Sequence, residues 1–413
     1  MYSWRKKFMR VTGIVAEYNP FHLGHSYHVK KAKEISKADT VIAMMGGNFL
    51  QRGEPALVDK WTRTEMALRA GIDLVLELPF VFASRSASWF AQGSVKSLAK
   101  TEIITHLAFG AETANLPALK LIAQKLNRED IIFSETLESF LKLGYSYPKA
   151  RTLTLQQQFT EISIDINELN NPNNVLALAY LRVLDQLNSN IEPVLIKRIG
   201  SYHAQEPEKE IASATAIRKL ILNHNDDWKK YVPTSTKDIL VKELIRGRGP
   251  VTLKSFEQPI LSVVRRMKIE ELGRIVEVTE GIENRLWELA QKTGDITSLL
   301  EKIKTKRYTY TRMQRLLIHS FLNFTEDMSV DEPQYLRVLG FNSQGKKLLK
   351  LINSNSSLPI ITKFSQGYKD ISETGRKILD LEIRATDLYN LAFPNLKERQ
   401  GRMDFYKSPV IID

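Results

Sequence analysis

The sequence contains no cysteine, which excludes disulfides, thiolate metal ligands and cysteine nucleophiles. It also lacks a long uninterrupted apolar run. Residues 72–83 form its longest hydrophobic region, but Asp73 and Glu77 interrupt it, and a membrane span needs roughly 18 consecutive apolar residues. The basic residues 1–8 lead straight into a strand-like run without an apolar signal segment or a small-residue cleavage site. Secretion is therefore not expected, and the cytoplasm is the expected location. Neither a repeat of fixed period nor a low-complexity segment is found.

What is present is an ordinary globular composition over 413 residues, 43% apolar and 26% charged, enough for two or three domains. Lys and Arg outnumber Asp and Glu by 59 to 47, a formal net charge of +12 that attracts polyanions and makes nucleic acid the leading partner class. A basic surface that serves solubility alone is the plainer alternative.

From Val11 to about Leu126, short apolar runs alternate with amphipathic stretches, the pattern of βαβ units on a parallel sheet. Strands are expected at 11–16, 40–45, 74–78 and 105–109, with helices at 26–37, 60–70 and 86–100 between them. Asp59 is placed to cap the second helix. Further helices are expected at 116–126, 133–143 and 173–187, then a strand at 193–199 and a short helix from Thr215. The pattern breaks at His224-Asn225-Asp226-Asp227. The expected architecture is thus α/β, a domain with a Rossmann-like parallel sheet over 9–225 followed by a helix-rich region over 226–413.

The most informative stretch is Val15-Ala16-Glu17-Tyr18-Asn19-Pro20-Phe21-His22-Leu23-Gly24-His25-Ser26-Tyr27-His28. A strand runs through a turn into a helix, and a helix start with Gly24 beside it is an anion site, because unpaired N–H groups and the positive dipole end face the ligand. His22 and His25 can donate hydrogen bonds to oxygens that gain charge as an α-phosphorus is attacked, so these two are the catalytic candidates. With His28, three of the seven histidines share this window, which raises the question of zinc. On one helix, spacing by three turns successive rings back by about 60°, so they spread rather than converge. No metal ligand set is assigned, and His28 can equally be a packing residue.

Strand, His-x-Gly-His and helix resemble the nucleotidyltransferase superfamily, whose members join an ATP α-phosphate to an acceptor and release pyrophosphate. Its second phosphate motif, Ser-Ser-Thr-x-x-Arg, is matched here by Ser213-Ala214-Thr215-Ala216-Ile217-Arg218. Ser213 and Thr215 can cap a helix and present hydroxyls to phosphate, and Arg218 can neutralise charge one turn later. Ala214 is the departure and removes one hydroxyl.

The intervening segments sharpen the resemblance. Gly47-Asn48-Phe49-Leu50-Gln51-Arg52-Gly53-Glu54-Pro55-Ala56, Asp59-Lys60-Trp61-Thr62-Arg63, Glu77-Leu78-Pro79-Phe80, Phe109-Gly110-Ala111-Glu112 and Asn171-Pro172-Asn173-Asn174 together resemble the bacterial tRNA(Met) cytidine acetate ligase family. The family pattern begins close to Met9, so residues 1–8 are expected to be an upstream start or an appendage. The resemblance implies that acetate attacks ATP to give acetyl-adenylate, and that the acetyl group then passes to the N4 amine of the wobble cytidine of elongator tRNA(Met). It implies that Val15 to His28, Gly110, Asn173 and Arg198 line ATP, with Mg²⁺ carried by the triphosphate. Taken alone, Gly110 could be a strand-end turn, Asn173 an N-cap and Arg198 a solvated charge. Arg52, Lys60 and Arg63 are second-tier candidates for contact with phosphate, acetate or RNA.

Farther on, Lys302, Lys304, Lys306, Arg307, Arg312 and Arg315 form a run without an acidic residue, interleaved with Tyr308 and Tyr310. Cations can track a phosphate backbone while tyrosine rings stack on splayed bases, which suits a single-stranded RNA loop. A solvated helix face is the plain alternative. Arg265, Arg266 and Lys268, beside Glu270 and Glu271, form a weaker cluster. Two rival functions remain open, a small-molecule adenylyltransferase that never meets RNA and a non-catalytic RNA-binding protein.

Overall fold

The apolar runs become strands buried on both faces, as expected of a parallel sheet covered by helices. The computed structural model describes residues 9–128, 131–158, 166–198, 212–305 and 308–413. β1 (Val11–Ala16), β2 (Thr40–Gly46), β3 (Leu74–Leu78), β4 (His106–Ala111) and β5 (Glu192–Lys197) are parallel in the order β5-β4-β1-β2-β3. Side chains alternate between two cores: Val11, Ile42, Met44, Leu74 and Leu76 enter one, whereas Ile14, Val41, Ala43, Met45 and Val75 enter the other.

The connections are α1 (Leu23–Ser36), α2 (Lys60–Arg69), α3 (Phe80–Ala83), α4 (Ala87–Ala99), α5 (Leu116–Asn127), α6 (Ile131–Lys142), α7 (Tyr147–Gln158) and α8 (Pro172–Gln186), followed after β5 by α9 (Ala214–Leu222). α4, α5 and α8 cover the first core, and α1, α2 and α9 the second. Asp59 caps α2 as expected, its Oδ1 accepting from Thr62 N at 2.8 Å. The expected strand at 193–199 ends at Lys197, and Ile199 lies outside the described residues. The chain runs β1-β2-β3 in one direction across the sheet and then places β4 on the other side of β1. The crevice between the carboxyl ends of β1 and β4 is therefore a topological switch point, where open α/β sheets bind ligands.

Beyond residue 225 helices dominate, but the region is not wholly helical. β6 (Leu336–Phe341) returns antiparallel to β3, and β7 (Ile360–Ile361) and β8 (Val410–Ile411) both pair with β6, so the sheet crosses the expected boundary. A buried ion network joins the two halves. Lys60 Nζ contacts Glu77 at 2.7 Å and Asp404 at 2.8 Å, and Arg337 reaches the same carboxylates at 2.8 and 2.6 Å. Among the described residues, no helix is long and apolar enough to cross a membrane.

Candidate active site

A cavity of about 380 Å³ opens at this switch point, within the range of small-molecule sites. β1 ends at Ala16, Tyr18 takes a left-handed conformation (φ 50°), and the chain turns into α1, whose first turn carries no acidic residue to offset its positive end. His22 is the N-cap of α1, so the helix begins at Leu23, three residues before the expected start. Its Nδ1 accepts from Gly24 N at 3.0 Å, while Nδ1 of His25 accepts from His22 N at 3.3 Å.

These two bonds fix the chemistry of both rings. A neutral imidazole whose Nδ1 accepts carries its proton on Nε2, so each histidine offers an Nε2–H donor. The rings stack with centroids 3.8 Å apart, and Tyr18 packs edge-on against His25 at 5.0 Å. Burial, with the charges of Arg198 and Arg218 adding to it, lowers His22 to about 3. Burial likewise holds His25 well below its ordinary value and lowers His28 to about 4. All three are thus neutral near pH 7. The Gly24 amide is engaged by His22, so this turn presents ring N–H groups to an anion rather than that amide.

α9 faces this turn. Ser213 caps it, accepting from Ala216 N at 3.0 Å. Arg218 donates to the Asn19 carbonyl at 3.0 Å, to Glu54 at 3.3 Å and to Thr215 Oγ1 at 3.4 Å. The two phosphate motifs, about 190 residues apart in sequence, therefore meet through one guanidinium, and Ser213, Thr215 and Arg218 all line the cavity.

At the β4 end, Arg198 Nη1 donates to Asn173 Oδ1 at 3.1 Å, and Asn173 Nδ2 donates to Glu112 at 2.5 Å. A Cβ on Gly110 would lie 3.3 Å from Arg198 Cγ, so the glycine leaves the arginine stem its path across the strand end. Asn174 is fully buried and ties α8 to β4, its Oδ1 accepting from Glu112 N at 3.0 Å and Thr113 N at 3.1 Å. Gly110, Asn173 and Arg198 line the same cavity as the histidines.

Other wall residues come from outside the two phosphate motifs. Phe90 from α4, Phe109 from β4 and Leu176 and Tyr180 from α8 make the apolar side. The signal for two of them was available: Asn173, Leu176 and Tyr180 are spaced i, i+3, i+7 on one helix face. The loop after β2 supplies Leu50, Gln51, Arg52 and Glu54, with Gln51 N donating to Glu17 at 2.7 Å.

The second-tier residues separate. Arg52 lines the cavity, but Lys60 and Arg63 are fully buried and do not reach solvent. Lys60 belongs to the ion network, and Arg63 donates to the backbone carbonyls of Glu17, Gly46, Gly47 and Val58. In the basic run, Lys302 and Lys304 are exposed, whereas Lys306 and Arg307 lie outside the described residues. Tyr310 is 39% exposed and Arg312 half-buried, its guanidinium donating to the Glu277 carbonyl and Thr279. Tyr308 and Arg315 are buried and face inward, Tyr308 onto Glu280 at 3.1 Å and Arg315 onto Glu277 at 2.8 Å. These two are corrected from RNA-contact candidates to parts of the fold. In the weaker cluster Arg265 is exposed, and its guanidinium donates to the carbonyls of Ala290 and Thr293.

The run is nonetheless close to the cavity. Gly53, at φ +76°, packs so tightly on the helix Tyr310–Leu322 that a Cβ would come within 2.5 Å of Arg315 N.

A family model described as HIGH Nucleotidyl Transferase matches residues 9–404. The tRNA(Met) cytidine acetate ligase of Thermoanaerobacter sp. (strain X514) is 44% identical over 391 residues, covering 94% of this chain and 96% of its own. That of Halothermothrix orenii is 40% identical, covering 98% and 99%. A crystal structure of Thermotoga maritima TmcAL bound with alpha-thio ATP superposes with a TM-score of 0.93 at 35% identity, covering 98% of this chain and all of that one. Matched along nearly its whole length by relatives of this identity, the chain belongs to the tRNA(Met) cytidine acetate ligase family within the HIGH nucleotidyl transferases.

Proposed function

We propose that this protein uses ATP to activate acetate as acetyl-adenylate and transfers the acetyl group to the N4 amine of the wobble cytidine of elongator tRNA(Met). The observation that carries this reading is the pair of neutral imidazoles at the switch point, each with Nδ1 held by backbone and Nε2–H left to donate. An acetate oxygen attacks the α-phosphorus of ATP and the bond to pyrophosphate breaks. His22 and His25 donate to the oxygens on which charge grows, the interaction that is stronger in the transition state than in the ground state. Ser213, Thr215 and Arg218 hold the departing phosphates, and Mg²⁺ is carried by the triphosphate. The apolar side formed by Phe109, Leu176 and Tyr180 takes the base, with Asn173 and Arg198 at its edge.

The second step needs the RNA at the same cavity. Tyr310 stands at the start of the helix that packs on Gly53, and Glu54, a cavity residue, is among the charges that act on its hydroxyl. A half-exposed ring near this loop supports RNA entry from this side, with Lys302 and Lys304 available to phosphate. The likeness to tRNA(Met) cytidine acetate ligases along nearly the whole chain favours this reading over a small-molecule adenylyltransferase.

Exchange of labelled pyrophosphate into ATP, measured against a panel of carboxylates with and without tRNA, tests the first step. Exchange with acetate that fades as the acyl chain lengthens supports it. Exchange that requires a phosphorylated metabolite establishes the rival.

A further inference from the structure

Two acidic side chains line the cavity, and they are not equivalent. Glu54 is ion-paired with Arg218 at 3.3 Å. Glu17, directly after β1, accepts from Gln51 N through Oε1 at 2.7 Å and has no cation within ion-pair distance among the described residues. Its second oxygen accepts no hydrogen bond from the described residues, and the side chain lines the cavity. A carboxylate set at the end of β1, close to Tyr180 of the apolar wall and with no ion pair among the described residues, is poorly placed to bind a polyanion. It is well placed to take a proton.

Resting on the proposed function, we propose that Glu17 is the general base of the acetyl-transfer step. The cytidine N4 nitrogen attacks the carbonyl carbon of acetyl-adenylate. The N4–C bond forms, the C–O bond to the phosphate of AMP breaks, AMP leaves with the electron pair, and one N4 proton passes to the free oxygen of Glu17 and on to solvent. The first step, in which acetate is already an anion, releases no proton and has no use for a base there.

The surroundings suit this role. Burial raises the Glu17 carboxyl above its ordinary value and Glu54 adds to this, while the Gln51 amide, Arg52 from the same loop and Arg63 from α2 oppose it. Tyr180 faces it from α8 and stays un-ionised, since burial raises its phenol. A base shifted toward neutrality is a better proton acceptor at working pH than an ordinary carboxylate.

The test is Glu17→Gln, which keeps an oxygen to accept from Gln51 N and removes only the basicity. Two rates are read: acetate-dependent pyrophosphate exchange, and acetyl transfer to tRNA(Met) from chemically prepared acetyl-adenylate. Transfer is expected to fall about 100-fold or more and by at least about tenfold more than exchange does, and the acid limb of the transfer pH profile should disappear. Parallel losses in both rates, or transfer within a few-fold of wild type, overturn the proposal. If Glu17→Gln does not fold, Glu17→Asp, which sets the carboxylate back by one methylene, is read by the same two rates with the same overturning result. Absence of acetyl transfer by the wild-type protein would count against the proposed function itself, which separates the two failures.

Discussion

The backbone amide of His22 donates to Nδ1 of His25 at 3.3 Å, so the residue that caps α1 also sets the tautomer of its stacked neighbour. With His22 Nδ1 engaged by Gly24 N, both rings are expected as neutral Nε2–H tautomers in the ligand-free protein. Nitrogen chemical shifts of the two imidazoles should report an unprotonated Nδ1 down to pH 5, below the usual histidine range, because burial holds His22 near 3 and His25 well below its ordinary value. Titration of either ring near pH 6.5 would contradict this.

His22→Ala and His25→Ala each remove a donor aimed at the developing charge. Adenylate formation should fall by about 3 to 4 kcal/mol of barrier in each variant, while far-UV circular dichroism stays native-like. His22→Asn, which can still cap α1, should recover stability but not the rate. Near-wild-type exchange in the alanine variants would remove both residues from catalysis.

The strand boundaries were legible because buried parallel strands are short apolar runs, and β1 and β3 fall where the pattern places them. α1 starts earlier than its periodicity suggests because a histidine side chain replaces the usual Ser, Thr, Asp or Asn cap. α3, only four residues long, and α7 left no readable signal. The cavity lining was legible where chemistry is packed into motifs, at His22, His25, Ser213 and Arg218. It was not legible where a charge has a distant partner. Lys60, Arg63 and Arg315 read as cations available to a ligand, yet the Lys60 partner Asp404 is more than 300 residues away and Arg63 is satisfied by carbonyls, which carry no sequence signature.

That distinction is testable at Lys60. Removing one member of a buried ion network leaves its partners uncompensated, so Lys60→Met should lower stability by about 3 to 5 kcal/mol, read from urea unfolding. Glu382, a buried carboxylate that accepts from Phe80 N and feels the charges of Glu77, Lys60 and Arg337, adds a pH dependence beside the network. Burial and the charge of Glu77 raise the Glu382 carboxyl to about 8 from the ordinary 4.5, so the folded protein binds a proton there that the unfolded chain has lost. This contribution to stability is complete below pH 4.5, declines as pH rises and is gone above about 8. Glu382→Gln should flatten the unfolding profile over that interval, and an unchanged slope would contradict the assignment.

The basic run should split by burial. Replacing Lys302 and Lys304 together by alanine should flatten the plot of log tRNA affinity against log salt by roughly 0.7 to 0.9 per lost contact, with pyrophosphate exchange retained. Arg315→Ala should instead lower the unfolding midpoint, because it strands Glu277. A reversed pattern, tRNA affinity sensitive to Arg315 alone at unchanged stability, would contradict the placement of these side chains.

The central claim is tested most directly by incubating the wild-type protein with ATP, isotopically labelled acetate and elongator tRNA(Met), then analysing the digested RNA by mass spectrometry. Labelled N4-acetylcytidine is expected at the wobble position, with AMP and pyrophosphate released in equal amounts to each acetyl group transferred. An unmodified cytidine, in a preparation that consumes ATP only with a phosphorylated small molecule, would contradict it.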